Sequence, residues 1–291
     1  MRHSQLKAFH HVALLGGFSR AAEALRLTQP VLSEQVKALE QAHDVLLFSR
    51  EHRQVALTPA GERLFALTRE YFGVEAQIAD YLGTRSAVLR GRLRIIADSA
   101  HHITDILAAF RLRHPLVAVS VRSGNTEAVL EALRGFEADI GVAGSLQPGR
   151  DMDIVSLGAS EIVAVVAVGL LPVGKHRLDL RELADWPLVF REEGSRTRTM
   201  VIEAAARLGV TLSPAIEAEG REAMREVVAS GAGIGFVSRA ELGHDGRLRA
   251  VPISGAELVM SETLACLARR SEVRLIRSFM ELARTMRREP A

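Results

Sequence analysis

The apolar period changes at Gly91, and that change restricts the chain to two bodies in series. Upstream, apolar residues recur at helical spacings. Downstream, short apolar strands alternate with amphipathic helices. Such alternation predicts a parallel sheet covered by helices on both faces. It comes in two rounds. The first holds the strands "GRLRIIAD", "VAVSVR" and "ADIGVAG", interleaved with the helices "HHITDILAAFRLRHP" and "TEAVLEALRGF". The second holds the strands "EIVAVVAV", "PLVF", "AIEAEG" and "GIGFVS", with the helices "SRTRTMVIEAAARLG" and "REAMREVVASG". A strand "ETLACLA" and a helix "EVRLIRSFMELARTMRR" close the chain. Two similar α/β halves predict a bilobed body with a cleft.

Upstream of Gly91, Leu6, Phe9 and Val12 to Leu15 mark a first helix that ends at Gly16-Gly17. The stretch "RAAEALRLTQPVLSEQVKALE", Arg20 to Glu40, then packs two short helices around Arg26-Leu27-Thr28. Ser19 is placed to cap the first, whose Ala21 and Ala22 permit a close crossing. Thr28 is placed to cap the second, with Pro30 in its first turn, where a missing N–H costs nothing. Leu32, Val36 and Leu39 give that helix one apolar face, opposite Gln29, Ser33, Glu34 and Lys37. Two helices so joined make a helix-turn-helix, whose second helix fits a major groove. "VLLFSREHRQVAL", Val45 to Leu57, predicts a β-wing with Arg50, His52 and Arg53 at or near its tip. Thr58 and Pro59 open a long helix. On it Leu64, Leu67, Tyr71, Val74, Ile78 and Tyr81 are spaced 3, 4, 3, 4 and 3 apart, the pattern of a seam that pairs with a second helix.

Charge and composition exclude several classes. No apolar run reaches the roughly 18–20 residues of a membrane helix, and the longest, Ile162 to Leu171, reads as a buried strand. The N-terminus "MRHSQLKAFHH" has no apolar segment of a secretory signal. The one cysteine, Cys266, has no internal disulfide partner and sits in an apolar strand, as a core residue does. A cytoplasmic protein is expected. The excess of base is confined to residues 1–90, with 11 Lys/Arg against 9 Asp/Glu, whereas residues 91–291 balance at 26 and 26.

Three motifs, in order and spacing, carry a family resemblance: "FSRAAEALRLTQPVLSEQVKALE", "LLFSR" and "LTPAGE". With the linker helix and two-lobed body, the chain resembles the LysR-type transcriptional regulators over essentially its whole length. That resemblance implies an α/β protein with three parts: a winged helix-turn-helix (1–58), a dimerising linker helix (59–90) and a periplasmic-binding-protein-like, two-lobed effector body (91–291). Lobe I would take about 91–161 and 267–291, lobe II about 162–266. The motifs "ADSAHHI", "REEGSRTR", "GREAMREVVASGAGIGFVSRAELG" and "ETLACLARR" resemble the subgroup associated with 2-aminoethylphosphonate catabolism. There are departures. Glu34 replaces a basic or small residue, Asp44 replaces the glycine usual before the wing, and "VGLLPVGKHRLDL" departs from the family's Gly-His-Pro loop.

The resemblance implies sites. On operator DNA, Gln29 can pair bidentately with adenine and Glu34 can accept from cytosine. Ser33 can reach base or phosphate, and Lys37 and Arg53 hold phosphates; Ser19, Arg20, Thr28, Pro30 and Arg50 complete the DNA-facing set. In the body, hydroxyl-rich helix starts at Ser99 to His102, Asn125-Thr126 and Ser195-Arg196-Thr197 suit an anion, because a helix N-terminus offers free N–H groups. The resemblance sets the first and third across the cleft. A phosphonate would sit among Ser99, Ser195, Arg196 and Thr197, with Asp98 or Glu222 for an ammonium group. His101 and His102 belong to the first start. They do not suggest a metal, since adjacent histidines point apart and no partner cluster has ligand spacing. No cofactor is implied. The expected partners are operator DNA, a small-molecule effector, RNA polymerase and a second copy of the chain, as homodimer or homotetramer. A solute carrier is the competing class and would require export. An enzyme ranks last, because no catalytic spacing or Gly-rich phosphate loop stands out.

Overall fold

A computed structural model describes residues 1–51, 54–82, 89–146 and 149–288, with the side chains of Arg50, Glu51, Gln54, Gln77, Asp80, Tyr81 and Arg288 left aside. The chain divides into two compact units, Met1–Thr84 and Arg85–Ala291.

The first unit opens with α1 (His3–Leu15), α2 (Phe18–Leu25) and α3 (Gln29–His43). Each ends on a residue in the left-handed region, which turns the chain sharply: Gly16, Arg26 and Asp44. Asp44, at φ 47°, thus adopts the conformation that suits glycine there, and Asp is among the few residues that visit it. Two expected caps differ. α2 starts at Phe18 with Gly17 as its cap, so Ser19 lies inside the helix. Thr28 occupies the cap position of α3 but its side chain makes no capping bond. The wing is β1 (Phe48–Glu51) paired antiparallel with β2 (Gln54–Leu57); His52 and Arg53 lie outside the described residues.

α4 (Pro59–Leu82) follows, with the Thr58 hydroxyl accepting from Gly61 N–H at 3.0 Å, as a cap should. A Cβ on Gly61 would overlap the Leu47 carbonyl, so only glycine lets α4 pass this close. Phe9, Val12, Ala21, Leu32, Val36 and Leu39 form the core of the unit, closed on one side by Phe65 of α4. Leu64 joins that core, whereas Leu67, Tyr71, Val74 and Ile78 are exposed. The expected end of the linker at residue 90 follows residues 83–88, which lie outside the description.

The second unit is a three-layer α/β body. Its strands are β3 (Gly91–Ala97), β4 (Val117–Ser123), β5 (Ile140–Gly144), β6 (Met152–Ala167), β7 (Leu178–Asp179), β8 (Val189–Arg191), β9 (Ile216–Ala218), β10 (Gly235–Ser238), β11 (Leu248–Ser254) and β12 (Val259–Leu267). Its helices are α5 (Thr104–Arg113), α6 (Thr126–Arg134), α7 (Arg196–Arg207), α8 (Gly220–Ala229) and α9 (Arg274–Arg288). The sheet order is β4-β3-β5-β12-β6-β11-β7, with β10 also on β6.

The sheet is mixed, which corrects the expectation of a parallel one. β3 pairs parallel with β4 and β5, but β12 runs antiparallel to β5 and β6, and β10 and β11 antiparallel to β6. β6 and β12 are the two strands that cross between lobes. The early half of β6 pairs with β12 in lobe I; its later half carries β10 and β11 in lobe II. The chain also returns to lobe I earlier than residue 267, because β12 pairs with β5 from Glu262 to Ala265.

Successive strand residues face opposite sides and enter different cores. In lobe I, Ile95 packs with Phe110 and Phe279, whereas Ile96 packs with Val129 and Leu133. In lobe II, Ile162, Ala164 and Val166 pack with Phe190 and Val201, and Val163 and Val165 pack with Met224 and Val228. Cys266 is buried in the lobe I core, where burial and then Asp153 push its thiol up to about 12.

Candidate functional site

On the first unit, Ser19, Arg20, Thr28, Gln29, Pro30, Glu34 and Lys37 are exposed, and Ser33 is half-buried. The Ser19 hydroxyl donates to Gln29 Oε1 at 3.3 Å, tying α2 to the start of α3. Arg20 donates to the Gly16 carbonyl at 2.8 Å. Ser33 and Lys37 line a groove of about 560 Å³ that runs between α3 and the wing, past Leu46 and Val55. The polar face of α3 is therefore presented to solvent along its first turns. Arg50 has its backbone in β1, and Arg53 is outside the described residues.

The second unit divides the expected effector residues between two cavities. One, of about 680 Å³, is lined by Asp98, Ser99, Arg122, Arg221 and Glu222. The other, of about 320 Å³, is lined by Thr126, Arg134, Ser145, Met152 and Arg196. Asn125 caps α6, accepting from Ala128 N–H at 3.0 Å, and donates across the cleft to the Glu193 carbonyl at 3.0 Å. It is therefore engaged in a bridge between lobes. Ser195 is the cap residue of α7 and is buried, yet its hydroxyl has no hydrogen-bond partner among the described residues. Thr197 is also buried, with the Met260 sulfur at 3.8 Å from its hydroxyl. Neither lines one of these two cavities. His101 lies on the surface and lines neither.

In the smaller cavity, Thr126 Oγ1 and Arg196 Nε are both buried without a hydrogen-bond partner among the described residues. A buried donor left unpaired costs of order 1–3 kcal/mol. Two donors short of an acceptor in one cavity are what an anion would satisfy.

The larger cavity abuts a buried charge network that the sequence did not reveal. Asp98 accepts from Arg191 at 2.7 Å, and Arg221 lies 3.6 Å away. Asp98, assigned to an effector ammonium, is thus occupied by two guanidiniums. Arg221 also donates to Glu241 at 2.9 Å, and His102 Nε2 lies 3.1 Å from Glu241 and 3.5 Å from Glu262. Burial works against the Arg191 charge, but Asp98 and Glu192 outweigh it and raise its pKa. Burial likewise works against the Glu241 charge, yet His102 and Arg221 hold its pKa below the usual range. At Glu262 the same two cations, His102 and Arg221, are outweighed. Burial, then the Glu241 charge, push it up to about 7. His102, read from sequence without partners, therefore has two carboxylates beside it.

Four residues of this network went unnoticed in the sequence. Arg191 opens "REEGSRTR" and Arg221 is the second residue of "GREAMREVVASGAGIGFVSRAELG", motifs that were read for their hydroxyls and acids. Glu241 is remote from everything it touches. Glu262 carried a signal, since a carboxylate leading into the apolar "TLACLA" calls for a partner.

A family model described as "Bacterial regulatory helix-turn-helix protein, lysR family" matches residues 3–62, and one described as "LysR substrate binding domain" matches 86–288. The RuBisCO operon transcriptional regulator of Acidithiobacillus ferrooxidans is 32% identical over 262 residues, 87% of this chain and 84% of that one. Among solved structures, a full-length OxyR variant from Pseudomonas aeruginosa superposes with a TM-score of 0.78 at 23% identity, covering 98% of this chain and 95% of that one. CbnR complexed with its target DNA gives 0.68 at 21% identity, covering 98% and 99%. At such identities the two structures speak for the fold.

Proposed function

The chain belongs to the LysR family of bacterial transcriptional regulators, and from that premise we propose that a small anion held by Thr126 and Arg196 sets how the protein occupies its operator. Members are DNA-binding regulators with a small-molecule effector, and the chain is not an enzyme. The observation that carries the proposal is that Thr126 and Arg196 both line one cavity of about 320 Å³ while Thr126 Oγ1 and Arg196 Nε are buried without a hydrogen-bond partner among the described residues. That volume suits a ligand of few heavy atoms.

Within the class of small anions we favour a phosphonate, with 2-aminoethylphosphonate first. Two things support it: three acceptor oxygens suit several donors at once, and "REEGSRTR", which contains Arg196, resembles the corresponding stretch of that subgroup. Asp98 is engaged by Arg191 and Arg221, and Glu222 lines the larger cavity, so neither acid expected from the sequence stands beside this anion site for an ammonium group. A carboxylate effector would use the same two donors and is the second reading.

On DNA, Gln29 and Glu34 are read as base contacts and Lys37, Arg50 and Arg53 as phosphate contacts. Leu67, Tyr71, Val74 and Ile78 of α4 are read as the face that pairs with a second copy. Thermal unfolding of the full chain against phosphonates, amino acids and aromatic acids tests the effector reading. An anion at about 100 times its dissociation constant stabilises by about 2.7 kcal/mol, and Arg196→Ala should remove most of that shift. A shift by a phosphonate that Arg196→Ala leaves intact would place the anion elsewhere. A shift by an unrelated acid alone would end the phosphonate reading and keep the cavity.

A further inference from the structure

We propose that His102, Glu241 and Glu262 form a binding site for one divalent transition-metal ion that fastens the two lobes together. The three residues come from separate elements. His102 lies in a 3-10 turn after β3, in lobe I; Glu241 ends a 3-10 turn after β10, in lobe II. Glu262 stands on β12, one of the crossing strands, where the register with β6 shifts. Its partner across that bulge is Gly158, at φ 120°, a conformation open to glycine. Bulges of this kind re-aim a side chain, and here the side chain meets the other two.

The geometry is close to that of a filled site. One ligand atom from each residue lies within 4.8 Å of the others. His102 Nε2 is 3.1 Å from Glu241 Oε1 and 3.5 Å from Glu262 Oε1. Ligands about 2.1 Å from a tetrahedral ion lie roughly 3.4 Å apart, so a small closure of the third side completes the set. All three side chains are at least nine-tenths buried, at 8%, 2% and 4% exposure.

Two further observations point to a cation. Glu262 Oε1 faces His102 and accepts no hydrogen bond among the described residues, an expensive state for a buried carboxylate oxygen. The network also carries surplus negative charge. Asp98, Glu192 and Glu241 are three carboxylates in contact with two guanidiniums, Arg191 and Arg221, and Glu262, beside His102, adds a fourth that brings the excess to two once it gives up its proton. Arg287 reaches only the His102 carbonyl, from the exposed end of α9. A divalent ion cancels that excess and fills the missing bond. Arg221, 2.9 Å from Glu241, stays as the outer partner that orients the ligand. One imidazole with two carboxylates suits Zn²⁺ or Mn²⁺ better than the all-oxygen sites of Ca²⁺. Three protein ligands leave a position for water.

The test uses the full chain stripped with a chelator and titrated calorimetrically with Zn²⁺ and with Mn²⁺, alongside thermal unfolding. The expected result is one ion per chain and a higher melting temperature. Glu262→Gln and His102→Gln should each weaken binding at least 10-fold. Glu262→Gln removes a buried charge and should remain folded without metal, judged by the fluorescence of Trp186. Arg196→Ala should bind the ion as wild type does, which separates this site from the anion cavity. No stoichiometric binding by the stripped wild type would overturn the proposal. So would equal affinity in wild type and both variants, which would place the ion on surface groups.

Discussion

Burial sets the protonation of His10, and with it a pH dependence in the DNA-binding unit. The ring lies between Phe65 and Phe72 of α4 and touches the Thr68 hydroxyl at 3.1 Å. Desolvation, then the nearby charges of His11 and Arg69, hold its pKa down to about 4. The folded unit therefore keeps His10 neutral where an unfolded chain, titrating near 6.5, takes up a proton. Stability from this group is present above about pH 6.5 and is lost as pH falls toward 4, at most about 1.4 kcal/mol per unit. Hydrogen exchange of α1 amides, corrected for intrinsic rates, should show falling protection from pH 7 to 5 in wild type. His10→Gln should flatten that slope; an equal slope in both would mean His10 is not its source. At this scale the sequence was a partial guide. It singled out Ser99, Thr126 and Arg196 by their place at helix starts, and each lines a cavity, but not all the same one. The contact of Asn125 with Glu193 across the lobes is equally hidden, because it joins residues far apart in the chain.

The helices of the first unit were legible because each carries its own punctuation: Gly16 ends α1, Pro30 sits in the first turn of α3, and Thr58 and Pro59 open α4. Ser19 lies one residue inside α2 because Gly17 takes the cap position, and Thr28 holds the cap position of α3 without a side-chain bond. The sheet was less legible. The first half of β6, with Asp153, Ser156 and Ser160, lacks a clean apolar alternation, and its pairing comes from β12 about 100 residues later. β11 escaped notice for a related reason, since Pro252 argues against a strand. For α3, exposure of Gln29 and Lys37 on one face separates two kinds of contact. Gln29→Ala should cost roughly 1–3 kcal/mol of operator discrimination if it pairs with a base edge. Lys37→Ala should weaken every sequence alike and reduce the salt slope by about one. Footprints on operator and scrambled DNA across a salt series decide it. Unchanged discrimination in Gln29→Ala would remove Gln29 as a base reader.

For the whole molecule, the exposed apolar face of α4 and the anion cavity belong to one scheme. Leu67 is 63% exposed and Ile78 54%, which is costly for a chain that stays alone. Leu67→Asp combined with Ile78→Asp should shift sedimentation toward monomer, because each sets a charge in the seam; a folded double variant that stays dimeric would assign the stripe to another role. A dimer presents two winged units to a two-fold operator, and an effector that favours one assembly shifts the populations of both. The most direct measurement is therefore the footprint of the full-length protein on DNA it selects from a random pool, taken with and without the anion that raises its melting temperature. Wild type should change footprint length or affinity on adding that anion, whereas Arg196→Ala should keep its apo footprint throughout. An unchanged wild-type footprint at saturating anion would contradict control of operator occupancy through this cavity.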